Sequence, residues 1–543
     1  MSKNISSLSG RQGLENNLFE RISERPDKET LAALAEEFLV GKANTFGAVT
    51  FYDFLKPENQ GKEVYVCNGT ACLCAGTQEK LQQDLEKHVS ADKIGHMTCL
   101  GRCHENAAFQ YNGKNYSNLN EEELSSLFEQ KSLPGTDDYI IQHRGTPVLT
   151  GEYDKNELFD LIRNFLNQNS ADVLDEIISS GVRGRGGAGF PMGIKLEGCR
   201  NAAGKQKFIV CNADEGDPGA YSDRYLLEKQ PLLVLIGMMA AGYVCGAEWG
   251  VLYIRGEYPE SVSACESAIK ELTDAGLLGQ NINGSGFNYA FKVVTAQGAY
   301  ICGEETALLS SLEGQRPEVR VRPPYPVQEG LFRMPTVVNN VETLAAVPYI
   351  LLNGGEAYKK IGTERSSGTK LLSLDSFFNR PGIYEVDMGT SLNTVVTELG
   401  GGFKSKVKAL HIGGPLGGLV PLSKINDLSV DFESFSQNGF LLGHASVICV
   451  PFDFPMAKYI EHLFEFTADE SCGKCFPCRL GSVRGQEMFE KAQEGSYKID
   501  RQLLDDLLET LEQGSLCALG GGVPLPIKNA LQYFEEELKG YFE

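Results

Sequence analysis

Eight of the chain's 15 cysteines stand in two tight groups. Cys67 and Cys72 are separated by four residues, and Cys99 and Cys103 by three. Each pair sits where a short β-branched or apolar strand runs into a loop. Four thiolates from two loops suit a [2Fe–2S] cluster, in which each iron takes two protein sulfurs, or a tetrahedral zinc. Zinc more often takes cysteines two residues apart, so these spacings favour iron–sulfur. The ordinary alternative is four buried structural cysteines, and Cys74, beside the loop, is read as one. The second group, SCGKCFPCR, supplies Cys472, Cys475 and Cys478, with Cys517 in GSLCALGG as a remote fourth. Three thiolates on one loop plus a distant one form the ligand set of a [4Fe–4S] cluster. Zinc is again the alternative, but no second knuckle surrounds Cys517. Gly473 and Pro477 argue against a continuous helix through the loop.

Clusters that carry one electron need a source of electrons. GVRGRGGAGF, residues 181–190, holds Gly184, Gly186 and Gly189 in the spacing G-x-G-x-x-G. A dinucleotide-binding turn of that spacing follows a strand. Here the preceding ADVLDEIISSGV reads as a helix, and no G-K-[ST] follows, so neither that turn nor a Walker A loop is expected. Closely spaced glycines still let backbone N–H groups approach an anion or a flat ring. Phe190 and Lys195 add an aromatic face and a positive charge. Further polar clusters are Asn212, Asp214, Glu215 and Asp217; Gly303, Glu304 and Glu305 at a helix start; Arg322 and Tyr325 on VRPPYP; and Asn339 with Asn340. Each alone reads equally well as a solvated turn or helix start. Together they could line a pocket for a flavin, the group that links a two-electron donor to one-electron clusters.

The elements that must position these residues fall into several domains, as 543 residues exceed one ordinary core. Residues 1–130 read as a small α/β domain. It has helices over 13–45, a strand in EVYVC, a helix in TQEKLQQDLEKHV, a hairpin turning at Asn112-Gly113 and a closing helix in NEEELSSLFEQ. KSLPGTDDY opens a linker, 131–150. An α/β region follows over 151–365, then a β-rich domain over 366–455 and a helical one over 456–543. The apolar share of 42% fits a soluble globular protein. No apolar run is long enough for a membrane helix and the start is polar, so a cytoplasmic protein without membrane insertion is expected. A net charge of −22 argues against nucleic acid as a partner.

RGRGGAGFPMGIK, NADEGDPGAYSDR, GAYICGEETALLSSLEGQRP, RPPYP, NNVET and SCGKCFPCR together resemble the NADH-oxidising flavoprotein subunit of respiratory complex I, over about residues 150–543. FGAVTFYDF, VCNGTAC and CLGRC resemble the thioredoxin-like [2Fe–2S] subunit of the same complex. The fusion is similar to the diaphorase or β subunits of NAD-reducing and electron-bifurcating hydrogenases and of NAD-dependent formate dehydrogenases. The resemblance implies a multidomain α/β protein: a thioredoxin-like ferredoxin domain, a Rossmann-like FMN domain, a β-grasp domain of the soluble-ligand-binding type and a C-terminal helical bundle with an iron–sulfur cluster. It implies FMN held by Gly184, Arg185, Gly186, Lys195, Asn212, Asp214, Tyr300, Gly303, Glu304, Asn339 and Asn340. NAD(H) would be held by Phe190, Glu305, Arg322 and Tyr325, and Glu215 and Asp217 would lie near the nicotinamide and flavin.

The implied partners are further iron–sulfur subunits and a hydrogenase or formate dehydrogenase-type catalytic subunit. A complex I-type input subunit, a self-contained NADH reductase and a flavin-free iron–sulfur redox sensor are the alternatives. Some residues depart from the family pattern. LEGCRNAAGKQK lacks the aromatic residues expected in that stretch, and Asp217 stands where the complex I flavoprotein has Glu. Glu305→Gln is expected to weaken NADH:ferricyanide turnover while leaving both clusters intact; unchanged activity would remove Glu305 from the nucleotide side of the pocket.

Overall fold

A computed structural model describes residues 14, 18–22, 27–129 and 137–543. The helix read over LENNLFERISE and the opening of the linker fall partly outside these. Within them, Leu18–Arg21 and Lys28–Glu37 are helical.

The first domain is a four-stranded sheet of β1 (Val64–Cys67), β2 (Ile94–Met97), β3 (Phe109–Tyr111) and β4 (Lys114–Tyr116), in the order β2-β1-β3-β4. β1 runs parallel to β2 and antiparallel to β3. Cys67 therefore ends one strand and Cys99 follows its parallel neighbour, so both cysteine loops leave the same edge. Asn112 and Gly113 turn the β3–β4 hairpin with φ of 50° and 67°. Positive φ at both central residues is what a two-residue hairpin turn requires, and Asn-Gly supplies it at little cost.

β5 (Ile140–Arg144) lies inside the span read as a linker. It is an edge strand, pairing parallel to β11 (Gly382–Asp387). Its side chains are mostly exposed, so YIIQHR carries little of the alternation that marks a half-buried strand. The sheet it joins is mixed and six-stranded, adding β10 (Thr369–Leu374), β12 (Val407–Ile412), β13 (Gly418–Pro421) and β14 (Ser446–Pro451) in the order β13-β12-β14-β10-β11-β5.

Between β5 and β10 the chain builds a wholly parallel sheet from β6 (Phe208–Ala213), β7 (Trp249–Ile254), β8 (Ala290–Thr295) and β9 (Thr336–Asn340). Its order is β8-β7-β6-β9, so the first strand lies between the second and the last. Helices cover its faces. The Pro231–Cys245 helix is buried almost all round, consistent with its uninterrupted apolar sequence. From Met456 onward the chain is helical: Met456–Asp469, Phe476–Gln493, Arg501–Gly514 and Pro524–Tyr533 pack as a bundle. Cys475 and Cys517 stand immediately before helices.

The first domain is seated on the others by buried polar contacts. Tyr52 OH donates to Ser311 Oγ at 2.9 Å, and Thr70 Oγ1 lies 3.0 Å from His462 Nε2.

Close packing on the parallel sheet sets one sharp test. A Cβ on Gly237, in the middle of the Pro231–Cys245 helix, would stand 2.0 Å from the Leu344 carbonyl oxygen. Alanine here forfeits its usual helix advantage. Gly237→Ala is expected to destabilise the protein by at least ~1–3 kcal/mol, read as a lower denaturant midpoint.

Candidate functional site

In a parallel sheet of this order, the connections leave β6 and β9 towards opposite faces and open a crevice beyond the carboxyl ends of those two strands. Asn212 lies at the end of β6, and Asn339 and Asn340 close β9. Asn212 Nδ2 donates to the Gly303 carbonyl at 2.8 Å. Asn340 Oδ1 accepts from Thr343 N at 3.2 Å, capping the next helix, and its Nδ2 donates to Asp223 Oδ2 at 2.6 Å. Asp214 Oδ2 and Asn339 Nδ2 are buried without a protein partner. Buried polar atoms in folded proteins are paired, so this acceptor and donor mark a place for a ligand.

The glycine loop does follow a helix, Ser170–Ser179, and it reaches the crevice from the side. Gly184 N donates to Phe190 O at 2.8 Å, closing the loop, and Arg185 N donates to Thr343 Oγ1 at 2.8 Å. A Cβ on Gly186 would stand 3.0 Å from Asn340 Cβ, so the loop backbone rests against the end of β9. Gly187 and Gly189 have φ of 125° and 61°, a region that favours glycine. The Arg185 guanidinium is buried and committed to Tyr358 OH and the Ser367 carbonyl, so it anchors the loop from behind.

The crevice has a charged outer wall. Lys195 Nζ donates to Glu305 Oε2 and to the Val338 carbonyl, both at 3.0 Å, and Arg322 donates to Glu305 Oε1 at 3.1 Å. The Glu304 carboxylate caps its helix, accepting from Thr306 N and Ala307 N at 2.9 Å. Phe190 and Tyr325 are large apolar rings left 46% and 53% exposed, free to stack on a planar group.

Deeper in, Glu215 is buried and accepts from Asp223 N at 2.8 Å and Arg224 N at 3.1 Å. Burial pushes its carboxyl up to about 8. Asp217 accepts from Tyr300 OH at 2.7 Å, and burial raises its carboxyl too. The Tyr300 ring packs edge-on against Phe466, 4.9 Å between centroids, and Tyr300 N donates to Glu470 Oε2 at 2.8 Å. Tyr300 thus joins the crevice to the helix that leads into Cys472.

Four polar residues at this site were not read from the sequence. Asp223 lies in NADEGDPGAYSDR, yet nothing in the spacing separates it from an ordinary helix-start acid. Arg255, Tyr258 and His444 lie in stretches that carry no motif.

Both cysteine sets converge. Cys67, Cys72, Cys99 and Cys103 are buried, with Cys99 and Cys103 sulfurs 3.4 Å apart. A Cβ on Gly69 would lie 3.5 Å from the Cys99 sulfur and 3.6 Å from that of Cys67. In the second set Cys472 and Cys478 are buried and Cys475 and Cys517 half-buried. Gly520 lies close enough that a Cβ would be 3.1 Å from the Cys478 sulfur. A tetrahedral zinc with bonds of about 2.3 Å would draw four sulfurs to about 3.8 Å from one another. Among the described residues, the one trio of metal-ligating groups lying mutually within 4.8 Å is Glu215, Asp223 and His444, with no cysteine. Each set gathers the four thiol donors that an iron–sulfur cluster takes, and the crevice, with its orphaned donor and acceptor, fits a flavin nucleotide.

The sequence matches the model of the Nuo51 FMN-binding domain over residues 177–349. It also matches the NADH-ubiquinone oxidoreductase-F iron-sulfur binding region over 458–541 and the thioredoxin-like [2Fe-2S] ferredoxin over 24–132. It is 40% identical over 399 residues to the second F-type subunit of the NADH-quinone oxidoreductase of Rhizobium meliloti, covering 73% of this chain and 94% of that one. It is 34% identical over 523 residues to the alpha subunit of the NAD-reducing hydrogenase HoxS of Cupriavidus necator, covering 90% and 84%. A crystal structure of an air-oxidized NAD+-reducing [NiFe]-hydrogenase superposes with a TM-score of 0.84 at 30% identity, covering 97% of this chain and 93% of that one.

Replacement of Cys517 by serine is expected to remove the EPR signal of the [4Fe–4S] centre and leave that of the [2Fe–2S] centre. Loss of both, or of neither, would break the division of the eight ligands.

Proposed function

The chain belongs to the family of NADH-quinone oxidoreductase F-type subunits and NAD-reducing hydrogenase alpha subunits, and from this premise we propose that it exchanges hydride between NAD(H) and FMN and passes electrons singly, through its clusters, to or from a cluster-bearing partner. The observation that carries this reading is the crevice at the ends of β6 and β9, where a glycine loop, an orphaned Asp214 oxygen and an orphaned Asn339 amide meet beside both cysteine sets.

When bound, FMN supplies the step between two-electron and one-electron chemistry. The protein's part is orientation. The glycine-loop backbone from Gly186 onward, with Asn212, Asp214, Tyr300, Gly303, Asn339 and Asn340, would hold the flavin nucleotide, while the Gly184 and Arg185 N–H groups close and anchor the loop. Lys195, on the flavin side, is paired with Glu305, which with Arg322 would form the charged wall for the nicotinamide nucleotide, and Phe190 and Tyr325 would offer faces to its adenine. Glu215 and Asp217 would set the charge near the reacting rings, and no protein nucleophile is required. The six-stranded sheet is the β-grasp module that the family implies.

One observation favours an assembly like that of the NAD-reducing hydrogenase, and a second marks a docking surface for a partner. The alignment to the hydrogenase alpha subunit spans 90% of the chain, against 73% for the quinone oxidoreductase relative, because it takes in the first domain. Phe476, Leu480, Val483 and Leu516 leave 67%, 58%, 43% and 43% of their surface exposed on the helix that carries Cys478 and beside Cys517. Clustered exposed apolar side chains mark docking surfaces. No described helix is long and apolar enough to cross a membrane, and a cytoplasmic location is part of the same proposal.

Two measurements test this. Acid release from the purified chain is expected to give FMN fluorescence equimolar with protein; clusters without flavin would instead favour the redox-sensor reading. Leu480→Asp is expected to lower co-purification of the cluster-bearing partner severalfold while NADH:ferricyanide turnover stays within twofold of the parent.

A further inference from the structure

His444 lies just before β14, in the six-stranded sheet, yet its imidazole enters the neighbouring parallel-sheet domain. Nε2 lies 3.2 Å from Asp223 Oδ2 and 3.7 Å from Glu215 Oε1, and the ring is only 5% exposed. The three groups all fall within 4.8 Å of one another. Asp223 Oδ2 also receives the Asn340 amide, and Glu215 follows directly on Asp214. The backbone beside the histidine touches the glycine loop: a Cβ on Gly187 would lie 3.9 Å from Gly443. His444 therefore sits under the floor of the crevice, joined to residues that line it. His444 Nδ1 and Asp223 Oδ1 are buried and have no protein partner. The imidazole is thus held from one side only, by carboxylates.

Two carboxylates this close and this dry cannot both stay ionised without a countercharge. The charged groups around the histidine are Asp223 on the Ser222–Lys229 helix, Glu215 and Asp217 after β6, and Lys370 on β10, which is ion-paired with buried Glu342. Arg255 faces Glu215 from the end of β7. Lys370 and Arg255 are ion-paired with acids of their own, Glu342 and Glu257, whereas the only acids that His444 faces among the described ion pairs are Asp223 and Glu215.

We propose that His444 is a positioning residue of the flavin site, an imidazolium that fixes Asp223 and Glu215 beneath the crevice and, as the countercharge of Asp223, raises the reduction potential of the flavin that the crevice would hold. The inference rests on the crevice reading given under Proposed function. Burial alone would lower the histidine's proton affinity, but Asp223 and then Glu215 hold it up to about 9. The sign follows. The stabilisation from the charged ring is complete below the ordinary histidine value of 6.5 and is lost as pH rises through about 9. A positive charge near the flavin favours the added electrons, so its loss lowers the potential.

The test is a spectroelectrochemical titration of FMN in the full chain, as parent, His444→Gln and Asp223→Asn, across neutral to alkaline pH. At neutral pH, H444Q is expected to retain FMN and both clusters. Its reduced-to-oxidised ratio at fixed applied potential should fall at least tenfold, equivalent to about 30 mV for a two-electron couple. The parent should show a break in potential against pH near 9 that H444Q lacks and that D223N moves to lower pH. Should H444Q fail to fold, the shift of that break in D223N decides alone. A flavin potential and break unchanged in H444Q, or unmoved in D223N, would overturn the proposal. The crevice reading has its own control: an Asp214→Ala, Asn339→Ala double variant must lose FMN. If it keeps FMN at parental affinity, the flavin lies elsewhere and both readings fall, an outcome distinct from a loaded crevice that ignores His444.

Discussion

A guanidinium with 2% of its surface exposed, that of Arg255, ties the cysteine-bearing first domain to the crevice. It donates to the backbone carbonyl of Glu215, to Glu257 Oε1 at 2.6 Å and to the carbonyl of Thr98 at 2.9 Å, one residue before Cys99. A buried charge is tolerable only when its partners stay in place. The loop of one cluster and the acid turn of the nucleotide site are therefore held in a single arrangement. Tyr258 reinforces it. Its hydroxyl donates to Glu215 Oε2 at 3.3 Å, and a Cβ on Gly101 would come within 2.6 Å of that hydroxyl oxygen. The close approach of the two domains depends on a residue without a side chain between the first domain's cysteines.

The same logic fixes the segment between the first two domains. Glu385, buried on β11, accepts from the backbone N–H groups of Val148, Leu149 and Thr150 at 2.8–3.1 Å. Three backbone donors on one carboxylate turn a connection into part of the fold. The six-stranded sheet thereby holds the entry of the parallel-sheet domain as well as the floor of its crevice.

What the sequence disclosed depended on distance along the chain. Cysteine spacing could be read directly because ligands of one loop are local. The helix before the glycine loop was equally legible, and it correctly barred the simple dinucleotide reading. The order β8-β7-β6-β9 was not legible, because strand neighbours are chosen by packing over long stretches of chain. Hence a shared pocket for Asn212 and Asn339 was legible only from their motifs, and the crevice that brings them to neighbouring strand ends emerged with the fold. β5 was missed because an exposed edge strand lacks the alternation that betrays a half-buried one. His444 gave no signal at all: its partner Asp223 is 221 residues away.

The two centres differ in shelter. The first four sulfurs are sealed between domains, whereas Cys475 and Cys517 stand partly open among exposed apolar side chains. The partly open sulfurs are also the ones that oxygen and chelators can reach. A partner seated there would act as a shield as well as a destination. Without such a cover, the outer centre would be lost first while the inner one endures.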